Sequence, residues 1–242
     1  MHLSVQNISF AYGTTTIMKN LSLEVTDGQF VSIIAPSGSG KSTLFYLIGG
    51  LLQPQSGQIL LESQSIVGKR GQVSYMPQSP SLLPWRTVQQ NVQIAYEIRK
   101  KKPALSEIHQ LLERAGLAEV AHHYPHQLSG GMQQRVAFIR TLAEDKPILC
   151  LDEPFGALDA LTRTKMQNWL QLILKEEKRT VLFITHSIEE AILLSDRIYV
   201  CHASPLQVSH VFHVSIPMNE RQKKHQATGW RELTQKIEEA LI

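Results

Sequence analysis

The sequence predicts an α/β fold: a mainly parallel sheet covered by helices, with an N-terminal antiparallel β subdomain and a helical insertion. Three observations carry that expectation. Short runs apolar at nearly every position recur at 30–35, 59–61, 148–151, 181–185 and 198–201, and such runs are strands buried on both faces. The longer segments between them carry apolar residues at helical spacing. The run FVSII at 30–34 passes directly into a Gly-rich loop and then an apolar helix pattern, the order in which a phosphate-binding site is built.

Taken in chain order, the stretches 3–10 and 21–25 alternate apolar and polar residues, which suits antiparallel strands with one wetter face. Between about 78 and 143 no strand run is visible, and Leu105, Ile108, Leu111, Leu112 and Ala115 share one helical face. This is read as a helical insertion at about 79–143. Past Cys201, alternation of Val208, His210, Phe212, Val214 and Ile216 predicts a strand, and the stripe Trp230, Leu233, Ile237, Leu241 predicts a packed helix. No internal repeat or low-complexity segment is found.

Composition narrows the classes. Of 242 residues, 43% are apolar, with 14 Gly and 11 Pro, which excludes collagen-like and largely disordered chains. The 24 Lys+Arg against 21 Asp+Glu leave a formal charge of +3, too mild and unclustered to make a case for nucleic acid. Cys150 and Cys201 can build neither a disulfide framework nor a metal-ligand spacing, so a reducing compartment is expected. The N-terminus lacks a signal-peptide pattern, and every apolar run falls well short of the roughly 20 residues a membrane span needs.

Three motifs carry chemistry. In Ala35-Pro-Ser37-Gly38-Ser39-Gly40-Lys41-Ser42-Thr43, Gly38 and Gly40 let backbone N–H groups crowd around a polyphosphate at a helix start. Lys41 adds a point charge and the Ser42 hydroxyl can ligate magnesium. Ala35 stands where the loop consensus has Gly. Second, the apolar run 148–151 ends in Asp152-Glu153-Pro154, and adjacent carboxylates at the end of a buried strand are costly without a cation. In a P-loop fold Asp152 would hold magnesium and Glu153 would polarise the attacking water. Third, Leu128-Ser129-Gly130-Gly131-Met132-Gln133-Gln134-Arg135 heads a helix. Its six fixed residues would occur by chance in roughly one chain in 10⁵ at ordinary residue usage. Ser129 can cap that helix while Gly130 and Gly131 bare its first N–H groups, a second anion site in one chain. Two sites invite two subunits: one nucleotide gripped by Lys41 of one copy and Ser129 of another, in a homodimer closed by ATP.

With these motifs in this order, the chain resembles the nucleotide-binding subunit of an ATP-binding cassette (ABC) transporter, over residues from about 2 to 205. The resemblance implies a P-loop, RecA-like ATPase domain over 1–205, followed by a strand-and-helix extension at 206–242. It implies ATP and Mg2+, with Ser37, Gly38, Ser39, Gly40, Lys41, Ser42 and Thr43 around the phosphates and Ser129, Gly130 and Gly131 contacting them from the partner. It further implies Tyr12 stacking on adenine, Gln78 as the Q-loop residue near the metal with Ser42 and Asp152, Asp159 in the D-loop, and His186 as the switch histidine beside the catalytic Glu153. Met132 departs from the Gln that many relatives carry.

The segment Leu82-Leu83-Pro84-Trp85-Arg86-Thr87-Val88-Gln89-Gln90-Asn91-Val92 is similar to importers of nitrate, taurine, alkanesulfonates and thiamine precursors. That likeness implies integral membrane permease subunits, a periplasmic or lipoprotein solute-binding protein acting indirectly, and a peripheral place on the cytoplasmic face of the membrane. Four apolar residues just after Gln78 predict a partner surface. The rivals are a soluble cassette ATPase of DNA repair or translation, which would need a coiled-coil insertion or two cassettes, and a P-loop kinase, which has no use for the 128–131 motif. His122, His123 and His126 read as a solvated loop with no zinc. Arg99, Lys100, Lys101 and Lys102 read as an exposed helix end.

Overall fold

The computed structural model describes residues 3–101, 105–177, 179–221 and 228–241. It divides into two compact units, one formed by 1–73 with 178–242 and the other by 74–177.

In the first unit, β1 (Leu3–Tyr12) and β2 (Thr15–Val25) form a hairpin, joined by β4 (Ser56–Leu61) and β5 (Gln64–Ser65) in an antiparallel sheet of order β2-β1-β4-β5. Leu3 and Val5 are buried, and so are Ile8 and Phe10, one step out of phase. The register shift between Val5 and Ile8, with Asn7 at φ 50°, restores the apolar face to the core. The run at 59–61, expected to join the parallel set, instead pairs antiparallel with β1, Leu3 opposite Leu61 and Val5 opposite Ile59. Three residues are too few to separate alternation from a continuous run: Ile59 and Leu61 are buried, while Leu60 is only partly so.

The parallel part of this unit is β3 (Phe30–Ile34) between β8 (Thr180–Thr185) and β9 (Arg197–His202), with β10 (Gln207–His213) antiparallel on β9. Every residue of β3 and β8 is buried, as runs without polar alternation require. Phe30 meets Phe183 edge to face, ring centroids 5.6 Å apart. Helix α1 (Lys41–Ile48) follows β3, and α6 (Ile188–Leu194) follows β8.

The C-terminal elements, α7 (Met218–Arg221) and α8 (Trp230–Leu241), are tied to this unit. Arg221, 4% exposed, donates to the carbonyls of Ile216, Ser195 and Val214, and Trp230 and Ile237 are buried where α8 packs on α6 and β9.

The second unit pairs β6 (Ser74–Met76) in parallel with β7 (Ile148–Asp152) and adds α2 (Val88–Ile98), α3 (Leu105–Arg114), α4 (Gly130–Ala143) and α5 (Ala160–Glu177). Three-residue β6 is too short to announce itself in the sequence. Ile108, Leu112 and Ala115 are buried as the helical spacing predicts, but Leu105, at the first turn of α3, is 71% exposed. Helix α2 begins with a capping box between Thr87 and Gln90. Arg99 at its end is not a solvated cation: it donates to Ala143 O at 3.0 Å and pairs with Asp145 at 2.9 Å, capping the end of α4. Lys100 and Lys101 are exposed, and Lys102 lies outside the described residues. Trp169 of α5 packs edge to face on Phe138 of α4 at 5.1 Å and lies under the Arg135 guanidinium.

Candidate functional site

The loop after β3 has the shape its glycines foretell. Gly38 and Gly40 both have left-handed φ, 76° and 100°, the conformation that lets backbone N–H groups before α1 crowd around an anion. Space around a Cβ at Gly38 is open, whereas one at Gly40 would strike Ile17 of β2. Ala35 lies outside the left-handed region and is 2% exposed, so a side chain at this consensus-Gly position strains nothing. Lys41 is 5% exposed, its Nζ donating to Ala35 O and Pro36 O, both at 2.9 Å. The ammonium is thus held over its own loop. Ser39 Oγ is buried with no hydrogen-bond partner among the described residues, as expected of a group lining a polar ligand's place. Ser37 is exposed, and Ser42 and Thr43 are half-buried at the first turn of α1.

Tyr12, 49% exposed at the end of β1, stands edge-on to Phe10 at 4.8 Å, its ring held and its outer face open. His186 is exposed at the end of β8. A closed set of hydrogen bonds fixes the backbone on either side: Thr185 Oγ1 donates to Glu190 at 2.5 Å and accepts from Ser187 N at 3.0 Å, and Ser187 Oγ accepts from Glu190 N at 3.3 Å. Glu190 was not singled out in the sequence. Its sign there was the helix-start pattern of a Ser followed three residues later by Glu.

In the second unit, Asp152 closes β7, 3% exposed, and accepts from the Tyr75 hydroxyl at 3.2 Å. Glu153 follows in the left-handed region at φ 43°, strain that a non-glycine residue bears mostly at functional sites. Its Oε2 accepts from Gln78 Nε2 at 3.4 Å, and Gly156 N donates to its carbonyl. A Cβ at Gly156 would sit 3.7 Å from that carboxylate. The unit therefore brings Gln78 to Glu153, 75 residues away in the sequence and next to Asp152.

Ser129 is the N-cap of α4, its Oγ accepting from Met132 N at 3.3 Å, and Gly130 beside it is exposed with open space around its Cα. Gly131 is buried, and a side chain there would strike Thr162 of α5, so its absent Cβ serves helix packing. Asp159 accepts from Leu161 N and Thr162 N at 3.1 and 3.0 Å, capping α5, and the bond from Thr162 holds its carboxyl below the usual range. Cys150 and Cys201 are buried, and burial pushes both thiols well above their ordinary range. His122, His123 and His126 are exposed, His126 stacked with Tyr124.

A glycine-lined phosphate cradle at a strand-to-helix junction, and a buried strand ending in paired acids, define a nucleotide hydrolase of the P-loop class. The comparisons with known proteins narrow the class. The ABC transporter family matches residues 18–156. The formylaminopyrimidine import ATP-binding protein of Halalkalibacterium halodurans is 42% identical over 241 residues, 98% of this chain and 90% of that one. The aliphatic sulfonates import ATP-binding protein of Bacillus licheniformis is 39% identical over 222 residues, 90% of this chain and 86% of that one. A solved dimeric ATP-binding cassette in a post-hydrolysis state, bound to ADP and Pi, superimposes with a TM-score of 0.75 at 31% identity, covering 88% of this chain and 98% of that one. The chain belongs to the ABC transporter family, as an ATP-binding, ATP-hydrolysing subunit.

Proposed function

We propose that the chain energises a bacterial importer from the cytoplasmic face of the membrane, working as a homodimer closed by ATP on integral membrane permease subunits. The solute is small and of the formylaminopyrimidine, nitrate or sulfonate kind that the relatives' names carry, delivered by a periplasmic or lipoprotein binding protein. Among the described residues no helix is long and apolar enough to cross a membrane.

One observation supports the transport reading most. Trp85 is 70% exposed, yet the loop carrying it is not loose: the fully buried Asn91 accepts from Leu83 N at 2.8 Å and donates to the carbonyls of Leu83, Arg86 and Thr87. A rigidly presented tryptophan is the usual anchor of a protein interface. The test is capture of the membrane subunit from native membranes with the tagged chain. Recovery of a multi-spanning partner with the unmutated chain and its loss with Trp85→Ala is expected. Equal recovery with both would place the docking surface elsewhere.

In the reaction, the N–H groups around Gly38 and Gly40 and the Lys41 ammonium grip the phosphates while Tyr12 stacks on the base. Ser37, Ser39 and Thr43 add donors, and Ser129 and Gly130 of a second copy approach the γ-phosphate with the open end of α4. Ser42, Asp152 and Gln78 carry hard oxygen donors of the kind magnesium prefers and would hold it, and the bound ion would neutralise charge on the phosphates. Glu153 accepts the proton of the attacking water, and His186 and Asp159 order the γ-phosphate side. Residues 79–143 act as the helical part that meets the membrane subunit.

A further inference from the structure

Two polar side chains of α4 reach the segment that follows Gln78. Gln134, 2% exposed, donates from Nε2 to Gln78 O at 3.4 Å. Arg140 donates from Nη1 to Ser81 O at 2.9 Å and from Nη2 to Pro80 O at 2.8 Å. One planar guanidinium therefore holds two successive carbonyls, which fixes direction as well as position. Ser81 sits in the left-handed region at φ 45°, a conformation that persists in a non-glycine residue only where the surroundings hold it. Arg140 supplies that hold.

Further along, Asn91 braces the same segment at Leu83, Arg86 and Thr87, and Trp85 stands exposed between. The loop thus has two anchors, Asn91 on α2 and Arg140 on α4. Only the second lies on the helix whose first turn displays Ser129 and Gly130.

We propose that Arg140 is a positioning residue that couples nucleotide contact at Ser129 to the loop bearing Trp85, with α4 as the rigid connector. The inference rests on the proposed function, in which Ser129 meets the nucleotide of a second copy and Trp85 meets the membrane subunit. Ser129 and Arg140 lie about 16 Å apart along the axis at the α-helical rise. A shift imposed on the helix start reaches Pro80 and Ser81 through two short charge-assisted bonds. Such a packed element is the physical link that coupling between distant sites needs.

The test labels the chain's three tryptophans with 5-fluorotryptophan, in a Glu153→Gln background so that ATP persists, and assigns Trp85 by Trp85→Phe. Light scattering reports pairing with MgATP. The Trp85 resonance is expected to shift when the pair forms. In Arg140→Met the pair should form while the resonance keeps its ATP-free position, and Arg140→Lys, which keeps the charge but not the two-carbonyl fork, should recover only part of the shift. A full shift in Arg140→Met, or no shift in the Arg140-intact pair, overturns the inference. Absence of pairing in the Arg140-intact protein overturns the homodimer reading itself, and light scattering tells the two failures apart. Should neither variant fold, amide exchange at 81–87 in the Arg140-intact chain decides: slowing with MgATP supports the coupling and an unchanged rate refutes it.

Discussion

The Gln78 carboxamide donates to Glu153 Oε2 at 3.4 Å, while the Glu153 backbone is held at φ 43°. The carboxylate is thereby held by a side-chain hydrogen bond and by its own backbone turn. Removing its basicity with Glu153→Gln is expected to leave ATP binding intact and to slow hydrolysis by about 10²-fold or more, the loss usual for a general base. With MgATP the variant should accumulate as a dimer in light scattering. A monomer, or hydrolysis near the unmutated rate, would assign the proton transfer to another group.

Lys41 Nζ bridges Ala35 O and Pro36 O, so its charge is preorganised over the loop. Lys41→Ala is expected to weaken ATP binding about tenfold or more, the range for losing a hydrogen bond to a charged group. Calorimetric titration measures it. Ser129→Ala should spare binding to the single chain and abolish hydrolysis. Mixing the two variants should restore one working site per mixed dimer, which the ATPase rate of the mixture reads directly.

Asn91 and Trp85 separate stability from docking. Asn91→Ala strips the 83–87 loop of its buried hydrogen-bond partner and should cost about 1–3 kcal/mol, seen as a lower Tm. Trp85→Ala removes an exposed ring and should change stability by no more than about 0.5 kcal/mol, while reducing uptake in cells that carry the membrane subunits. A drop of several degrees for Trp85→Ala would make it a packing residue.

Glu144, at the end of α4, has its carboxyl pushed up to about 7, chiefly by burial, with the Arg140 and Lys146 charges pulling the other way. The folded chain therefore keeps a proton that the unfolded chain releases near its ordinary value of about 4.3. That contribution to stability is fully present below the unfolded value and is lost as pH rises through about 7. Glu144→Gln, neutral throughout, should stabilise the protein at pH 8 on the order of 2 kcal/mol and change it little at pH 5. Urea unfolding at the two pH values measures the difference.

Much of the site was legible because its chemistry is local. Gly38, Gly40, Lys41 and Ser42 lie within five residues, and the signature of 128–135 within eight, so chain connectivity alone brings each group together. The buried strands were legible where the run was long, as at 30–34 and 180–185, and misread at 59–61, where three residues could not reveal which sheet would accept them. The bare helix start gives Gly131 its expected anion-binding place, and the resemblance gives Asp159 its place in the D-loop. Their roles within the fold, admitting Thr162 and capping α5, depend on how α5 starts and packs.

By itself, then, the sequence determined the phosphate cradle, the paired acids, the capped signature helix and the period of each long element, since all of these arise from residues a turn or a strand apart. Only the tertiary structure decided that Gln78 meets Glu153, that Arg140 holds Pro80 and Ser81, and that Arg99 caps α4 where a free cation was expected. Those partners lie 44 to 75 residues apart. A hydrogen bond across such a separation leaves no periodic trace in the chain, because its geometry exists only once helices and strands have packed and water has been driven from between them.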